Sequence, residues 1–232
     1  GGVQRVVAAG GGVGGAGMTY TLYHGDCLEV LPTLAGVDAV VTDPPYGMKK
    51  AAWDMDIVPV AAWLPLARKF GVVAVFTGVR GAYDYPKPDW LMSWVRLGST
   101  QRCGKLGGFN NWEPILLYGV RRLENDVISV PNFPDREAAG HPTPKPLRLM
   151  RALIKRLTKP GDTILDPFMG SGSTGVAAIM EGRNFIGIEL DARYYRIAER
   201  RIANAQPPLF VADAPAVSEP EQAAMFSQEA HP

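Results

Sequence analysis

Asp43, Pro44, Pro45 and Tyr46 follow a short β-branched run, Val37 to Thr42, and gather a carboxylate, two rigid residues and an aromatic ring at one point of the chain. Proline fixes φ and has no N–H to pair with another strand, so the backbone carbonyls here stay available as acceptors. Two acceptors beside a flat ring suit a planar heterocycle that bears an exocyclic amino group. A strand-ending loop with a capping Asp fits the same four residues equally well, and the motif alone leaves both readings open. A second constellation runs from Asp166 to Gly175, where Gly170, Gly172 and Gly175 form a G-x-G-x-x-G pattern between a short strand and a helix. Glycine serves where the backbone turns sharply or where a ligand must touch it without a Cβ in the way. Glu189 lies 19 positions after Gly170, at the tip of the next strand. An acid at that spacing holds ribose hydroxyls. Strand, turn, helix and acid together favour an adenosine-containing cofactor over a merely structural turn. Glu189 also fits a solvated residue near a helix start, and Asp191 beside it reads as the helix cap.

The elements that must position these residues alternate. Residues 37–42, 72–77, 163–166 and 184–188 read as short buried strands, and Thr19 to His24 alternates as a strand does. Residues 59–70 read as a helix in which Pro65 marks a kink or a late start. Residues 174–181 form a helix ending at Gly182, and a further helix spans 192–205. The fold class is therefore α/β, a Rossmann-like, mostly parallel sheet with helices on both faces. A second glycine pattern, Gly10 to Gly17, precedes a strand instead of opening a helix, so it is discounted as a phosphate turn. Residues 1–18 read as a flexible extension with Met18 as a start, 19–206 as the domain, and 207–232 as a disordered acidic tail.

Composition narrows the class. The 232 residues suit one large domain, and 47% hydrophobic with 20% charged residues suffices for a core. No run approaches the roughly 20 apolar residues of a membrane span, and the start lacks a secretory pattern. Cys27 and Cys103 are too few for a disulfide framework or a four-cysteine metal site, so a cytoplasmic protein with two reduced thiols is expected. His24 and His141 lie far apart without ligand spacing, and no metal is expected. The tail carries Asp213, Glu219, Glu221 and Glu229 and no Lys or Arg, which leaves a moderate positive excess on the rest of a chain of net charge +1. That balance permits nucleic-acid binding without requiring it.

Asp43-Pro44-Pro45-Tyr46, taken with Asp166 to Gly172, resembles the amino-group DNA methyltransferases that use S-adenosylmethionine. His141 to Pro146 resembles the family's H-P-T-x-K-P element, and Gly25, Asp26, Cys27 and Leu28 resemble its G-D element. The order of motifs is that of the β class, and the resemblance covers about residues 19–205. It implies that Asp43 and the Pro44 carbonyl accept the two hydrogens of the target amine. The amine lone pair is thereby drawn out of ring conjugation toward the sulfonium methyl. Tyr46, after Pro45, would stack on a base flipped out of the duplex. It implies further that Phe168, Gly170 and Gly172 line the cofactor, with Asp166 and Thr174 in the same turn, and that Glu189 binds the ribose. Asp26 would reach the adenine with Cys27 beside it, Thr143 and Lys145 would meet the methionine carboxylate, and Asp43 secondarily the methionine ammonium. An Asp at the first motif position resembles adenine-N6 members, whereas many cytosine-N4 members carry Ser. Lys145 has a plain alternative, one more charge on a basic helix.

DNA is the implied partner, contacted through a recognition region at about residues 80–122. There Arg80, Lys87, Arg96, Arg102, Lys105, Arg121 and Arg122 outnumber Asp84, Asp89 and Glu113. Residues 99–108 are polar, basic and Gly-rich, able to follow a phosphate backbone. Trp90, Trp94, Phe109 and Trp112 read as core in preference to stacking platforms. Leu147, Met150, Ile154 and Leu157 share a helical face, while Arg148, Arg151, Lys155 and Lys159 form another, either a solvated surface or a phosphate contact. The short recognition region speaks against tight binding by a monomer, so a homodimer and a cognate restriction endonuclease are partners to consider. An NAD-dependent oxidoreductase would use the glycine turn but leaves Asp43 to Tyr46 unexplained. A non-catalytic DNA-binding relative would not need Asp43 and Tyr46 intact.

Overall fold

A computed structural model describes residues 3–9, 18–45, 58–97, 108–131 and 144–206. The strands are β1 (Gln4–Ala9), β2 (Thr19–His24), β3 (Ala39–Thr42), β4 (Val72–Phe76), β5 (Trp90–Leu97), β6 (Trp112–Tyr118), β7 (Val127–Pro131), β8 (Thr163–Asp166) and β9 (Asn184–Glu189). The helices are α1 (Cys27–Val30), α2 (Val60–Ala67), α3 (Gly78–Gly81), α4 (Leu147–Leu157), α5 (Ser173–Met180) and α6 (Ala192–Ala203). The strands described form one nine-stranded sheet in the order β1-β2-β9-β8-β3-β4-β6-β5-β7. β2, β9, β8, β3 and β4 run parallel, while β6 returns antiparallel along β4.

The central strands read as unbroken apolar runs because both of their faces are covered. Ala39 and Val41 face α4, α5 and α6 through Leu149, Leu153, Ile179 and Ile202. Val40 faces the opposite layer, with Trp63, Leu64, Val73 and Leu165. All of these residues are buried. The expected Rossmann-like architecture is thus observed. No helix among the described residues is long and apolar enough to cross a membrane.

Chain order decides where the sheet opens. From β8 the chain proceeds to its neighbour β9 on one side, and from β3 it proceeds to β4 on the other. The crevice beyond the carboxyl ends of β8 and β3 is therefore a topological switch point, the usual ligand position in an open α/β sheet.

Four expectations change. Residues 4–9 are not a loose extension: β1 pairs with β2 through six residue pairs and extends the sheet by one strand. A glycine-poor stretch carrying Val6 and Val7 can satisfy the backbone groups that β2 would otherwise leave unpaired. Residues 10–17 and the acidic tail at 207–232 lie outside the described residues. The helix read at 59–70 spans Val60–Ala67, and Pro65 sits inside it without ending it. Buried Trp63 and Leu64 anchor that helix on the sheet. Within the region expected to be a recognition insertion, β5 and β6 belong to the main sheet. Of the four aromatics read there as core, Trp94 is buried, while Trp90, Phe109 and Trp112 are exposed. Trp90 shares the inward parity of Trp94 but stands at the strand's first residue, where its indole N–H donates to Asp126 at 3.2 Å.

Candidate active site

Asp166 ends β8 and is 2% exposed. Its Oδ1 accepts the Thr42 hydroxyl at 2.7 Å and the Phe168 amide at 3.1 Å, and its Oδ2 accepts the Thr174 hydroxyl at 2.6 Å. Burial pushes its carboxyl up to about 6, against these hydrogen bonds, which lower it. Thr42 is the last residue of β3 and Thr174 lies in the first turn of α5. One buried carboxylate therefore ties the Asp43 loop to the glycine turn, although Thr42 and Asp166 are 124 residues apart in the chain.

The turn itself is built on left-handed residues, Gly170 at φ +52° and Gly172 at φ +84°. L-side chains rarely adopt that region. A Cβ on Gly172 would lie 2.9 Å from the Ala198 Cβ, and one on Gly175 would lie 2.5 Å from Ile202 Cδ1. The approach of α6 thus requires both glycines, and at Gly172 the left-handed turn requires one as well. Arg201 of α6 donates to the Ser171 carbonyl at 2.5 Å from behind. Glu189, half-buried at the tip of β9, accepts the Gly170 amide at 2.8 Å through Oε2 and the Asp191 amide at 2.8 Å through Oε1. Burial raises its carboxyl to about 7, against the two amides. Asp191 also caps α6, as expected, accepting from Arg193 and Tyr194.

The Asp43 side of the crevice carries a charge network. The Lys145 ammonium donates to Asp43 Oδ2 at 2.7 Å and meets Glu113 Oε1 at 3.0 Å. It also lies 5.0 Å from the centre of the Phe76 ring. Burial alone would lower the Lys145 pKa, but the Asp43 and Glu113 carboxylates outweigh it and hold it above its ordinary value. Arg96 Nη1 stands 3.7 Å from Glu113 Oε2. β6 runs antiparallel to β4 with Ile115 opposite Phe76, so Glu113 falls just past the carboxyl end of β4, beside Asp43.

The structure thus brings together Asp43, Pro44, Lys145, Asp166, Phe168, Gly170, Gly172, Thr174 and Glu189 along one edge of the sheet. Pro44 is buried and Pro45 half-buried. Phe168 packs edge-on to Trp63 with ring centres 5.2 Å apart. Asp26 stands at the same edge, just past His24, which pairs with Glu189, and its carboxylate caps α1 by accepting the Leu28 amide at 2.8 Å. Tyr46, Thr143, Arg102 and Lys105 lie outside the described residues.

Three expectations need correction. Lys145 precedes α4 and is buried between two carboxylates, so it is not one more charge on a basic surface helix. Cys27 packs its side chain in the core, where burial first and Asp26 second push the thiol up to about 12, so its side chain serves packing. Arg96 is 5% exposed and donates to the Asn110 and Trp112 carbonyls, which removes it from any DNA-facing surface. Of the basic residues on α4, Arg148 is exposed, while Arg151 and Lys155 meet Glu181 at 2.5 and 3.3 Å. Sequence reasoning missed Glu113 and Thr42. The available signal for Glu113 was a lone acid in the otherwise apolar strand Trp112–Tyr118. Thr42 carried none.

Residues 112–200 match the DNA methylase family N6_N4_Mtase. YubD of Escherichia coli strain K12, a methylase by name, is 32% identical over 209 residues, which are 79% of this chain and 90% of YubD. The crystal structure of an M1.HpyAVI–SAM complex superposes with a TM-score of 0.59 at 28% identity, covering 78% of this chain and 98% of that one. The PvuII DNA methyltransferase, cytosine-N4-specific by title, superposes with a TM-score of 0.60 over 78% of this chain and 86% of its own. At 17% identity that likeness concerns the fold alone.

Proposed function

Because this chain belongs to the amino-group DNA methyltransferases, we propose that it transfers a methyl group from S-adenosylmethionine to the exocyclic amine of a flipped DNA base, adenine N6 ahead of cytosine N4. The observation that carries this reading is the Asp166 bridge, which sets the Asp43 loop and the glycine turn side by side at the switch point of the sheet. A methyl donor in the turn and an amine at Asp43 then face each other across one crevice.

The residues present fit the cofactor. The left-handed turn at Gly170 and Gly172 shapes a cradle, and the Glu189 carboxylate is held by two backbone amides at its rim. Glu189 would accept the ribose hydroxyls, Phe168 would line the apolar part, and Asp26 would reach the adenine. S-adenosylmethionine, when bound, supplies an electrophilic methyl group on a sulfonium. Asp43 and the Pro44 carbonyl hold the amine as acceptors, which localises its lone pair and meets the positive charge that develops on nitrogen. The remainder of catalysis is alignment. Tyr46 supplies the stacking face for the extruded base, since the amine is out of reach inside a duplex. The exposed Arg148 of α4, with Arg151 and Lys155 beside it and Arg102 and Lys105 in the basic segment, would contact phosphates.

The choice of adenine rests on Asp43 as the first motif residue. A carboxylate is the stronger acceptor, but both amines share one chemistry, so the base is decided by experiment. Expression in a host lacking DNA methylation, followed by mass spectrometry of the nucleosides, should yield N6-methyladenine, and Asp43→Ala should abolish it while S-adenosylmethionine still binds. N4-methylcytosine in its place would overturn the adenine reading, and transfer by Asp43→Ala above a few per cent of wild type would overturn the role of Asp43.

A further inference from the structure

Glu113 is buried in β6, where a lone carboxylate carries a large desolvation penalty unless it is paired. Its two oxygens face different cations: Oε1 meets Lys145 Nζ at 3.0 Å and Oε2 faces Arg96 Nη1 at 3.7 Å. Arg96 is itself pinned to the sheet, donating through Nη2 to the Asn110 and Trp112 carbonyls at 3.1 and 3.3 Å. The chain of contacts therefore runs from the backbone of β6 through Arg96, Glu113 and Lys145 to Asp43. Packing alone does not call for it, since an apolar side chain at a strand tip serves packing as well as an ion pair does. Its far end is the carboxylate assigned to the target amine.

Resting on the reading of Asp43 as that acceptor, we infer that Glu113 is a positioning residue for methyl transfer, holding the Lys145 ammonium where it fixes the Asp43 carboxylate. The lysine stem has four rotatable carbons, so one carboxylate does not define where its head sits as closely as two do. Glu113 also takes up part of the lysine charge, so that the ammonium does not bear wholly on Asp43 and weaken it as an acceptor.

The test is Glu113→Gln in the full chain, which keeps shape and removes charge. It is compared with the charge-balanced Glu113→Gln/Lys145→Gln variant. Single-turnover methyl transfer to unmethylated DNA should fall about 10- to 100-fold in Glu113→Gln, the scale of a misplaced reacting group. The S-adenosylmethionine Kd should stay within about threefold, as expected when an interaction of the transition state alone is lost. The double variant should recover melting temperature but not rate. A Glu113→Gln rate within about twofold of wild type would overturn the inference. So would recovery of rate in the double variant, or loss of cofactor binding in the single one, since both mark a merely structural role. Wild-type protein that methylates no DNA would remove the underlying reading, and the inference with it.

Discussion

Thr42→Val removes one hydroxyl from the switch point and changes little else in shape. Thr42 is fully buried, and its hydroxyl donates to Asp166 Oδ1 at 2.7 Å. A hydrogen bond to a charged, buried group contributes about 1.5–3 kcal/mol. The variant should therefore lose about 2 kcal/mol of stability while Asp166 is ionised, or about 4–8 °C of melting temperature for a chain of this size. The loss should depend on pH. Burial holds the Asp166 carboxyl at about 6, above its ordinary 3.8. A group raised in the folded state supports the fold most at low pH, and that support is lost as pH rises through its folded value. Removing the Thr42 donor raises Asp166 further, so the deficit of the variant should widen between about pH 5 and pH 8. At pH 5, with most Asp166 protonated, the deficit should shrink to about 1 kcal/mol or less, that of a neutral hydrogen bond. Thermal melts of both proteins at pH 5, 6.5 and 8, followed by calorimetry or tryptophan fluorescence, measure this directly. An equal loss at pH 5 and pH 8, or none at pH 8, would refute the bridge as the link between the two loops.

Two further outcomes are expected. Glu189→Ala should weaken S-adenosylmethionine binding by about 1.5–3 kcal/mol through loss of a charged acceptor. Because burial holds the Glu189 carboxyl at about 7, wild-type affinity should strengthen from pH 6 to pH 8 as it ionises, and a flat calorimetric profile with an unchanged Kd in the variant would separate Glu189 from the ribose. Gly175→Ala would put a Cβ 2.5 Å from Ile202 Cδ1 and 2.7 Å from Phe185 Cε1, and such overpacking costs about 1–3 kcal/mol. Ile202→Val in the same chain should recover part of the lost melting temperature, and no loss from Gly175→Ala alone would show that α5 and α6 can part.

Much of the molecule was legible residue by residue. β-Branched runs without alternation mark strands covered on both faces, and β3, β4, β8 and β9 fall within two residues at either end of the runs 37–42, 72–77, 163–166 and 184–188 read from the sequence. The glycine turn and its acid were legible because both halves lie within one strand–helix–strand unit, where spacing along the chain is nearly spacing in space. Gly175 shows the limit of that reading. A glycine written for a ligand and a glycine written for helix packing look alike, and only the nearness of Ile202 and Phe185 assigns it to packing.

What the tertiary structure alone decided is everything that depends on strand order. Asp43 and Asp166 belong to segments far apart in the chain, and they meet because β3 and β8 are hydrogen-bonded neighbours. Residues 4–9 become a strand because β2 has an edge to offer, a fact of pairing and not of composition. Glu113 and Arg96, counted in the sequence only as charges of a recognition region, are carried inward because β5 and β6 join the main sheet and aim them at its carboxyl edge. Period and propensity are local properties of the chain. Register and strand order follow from burying all of the apolar faces at once, and that sum places Glu113 beside Lys145 and Asp43.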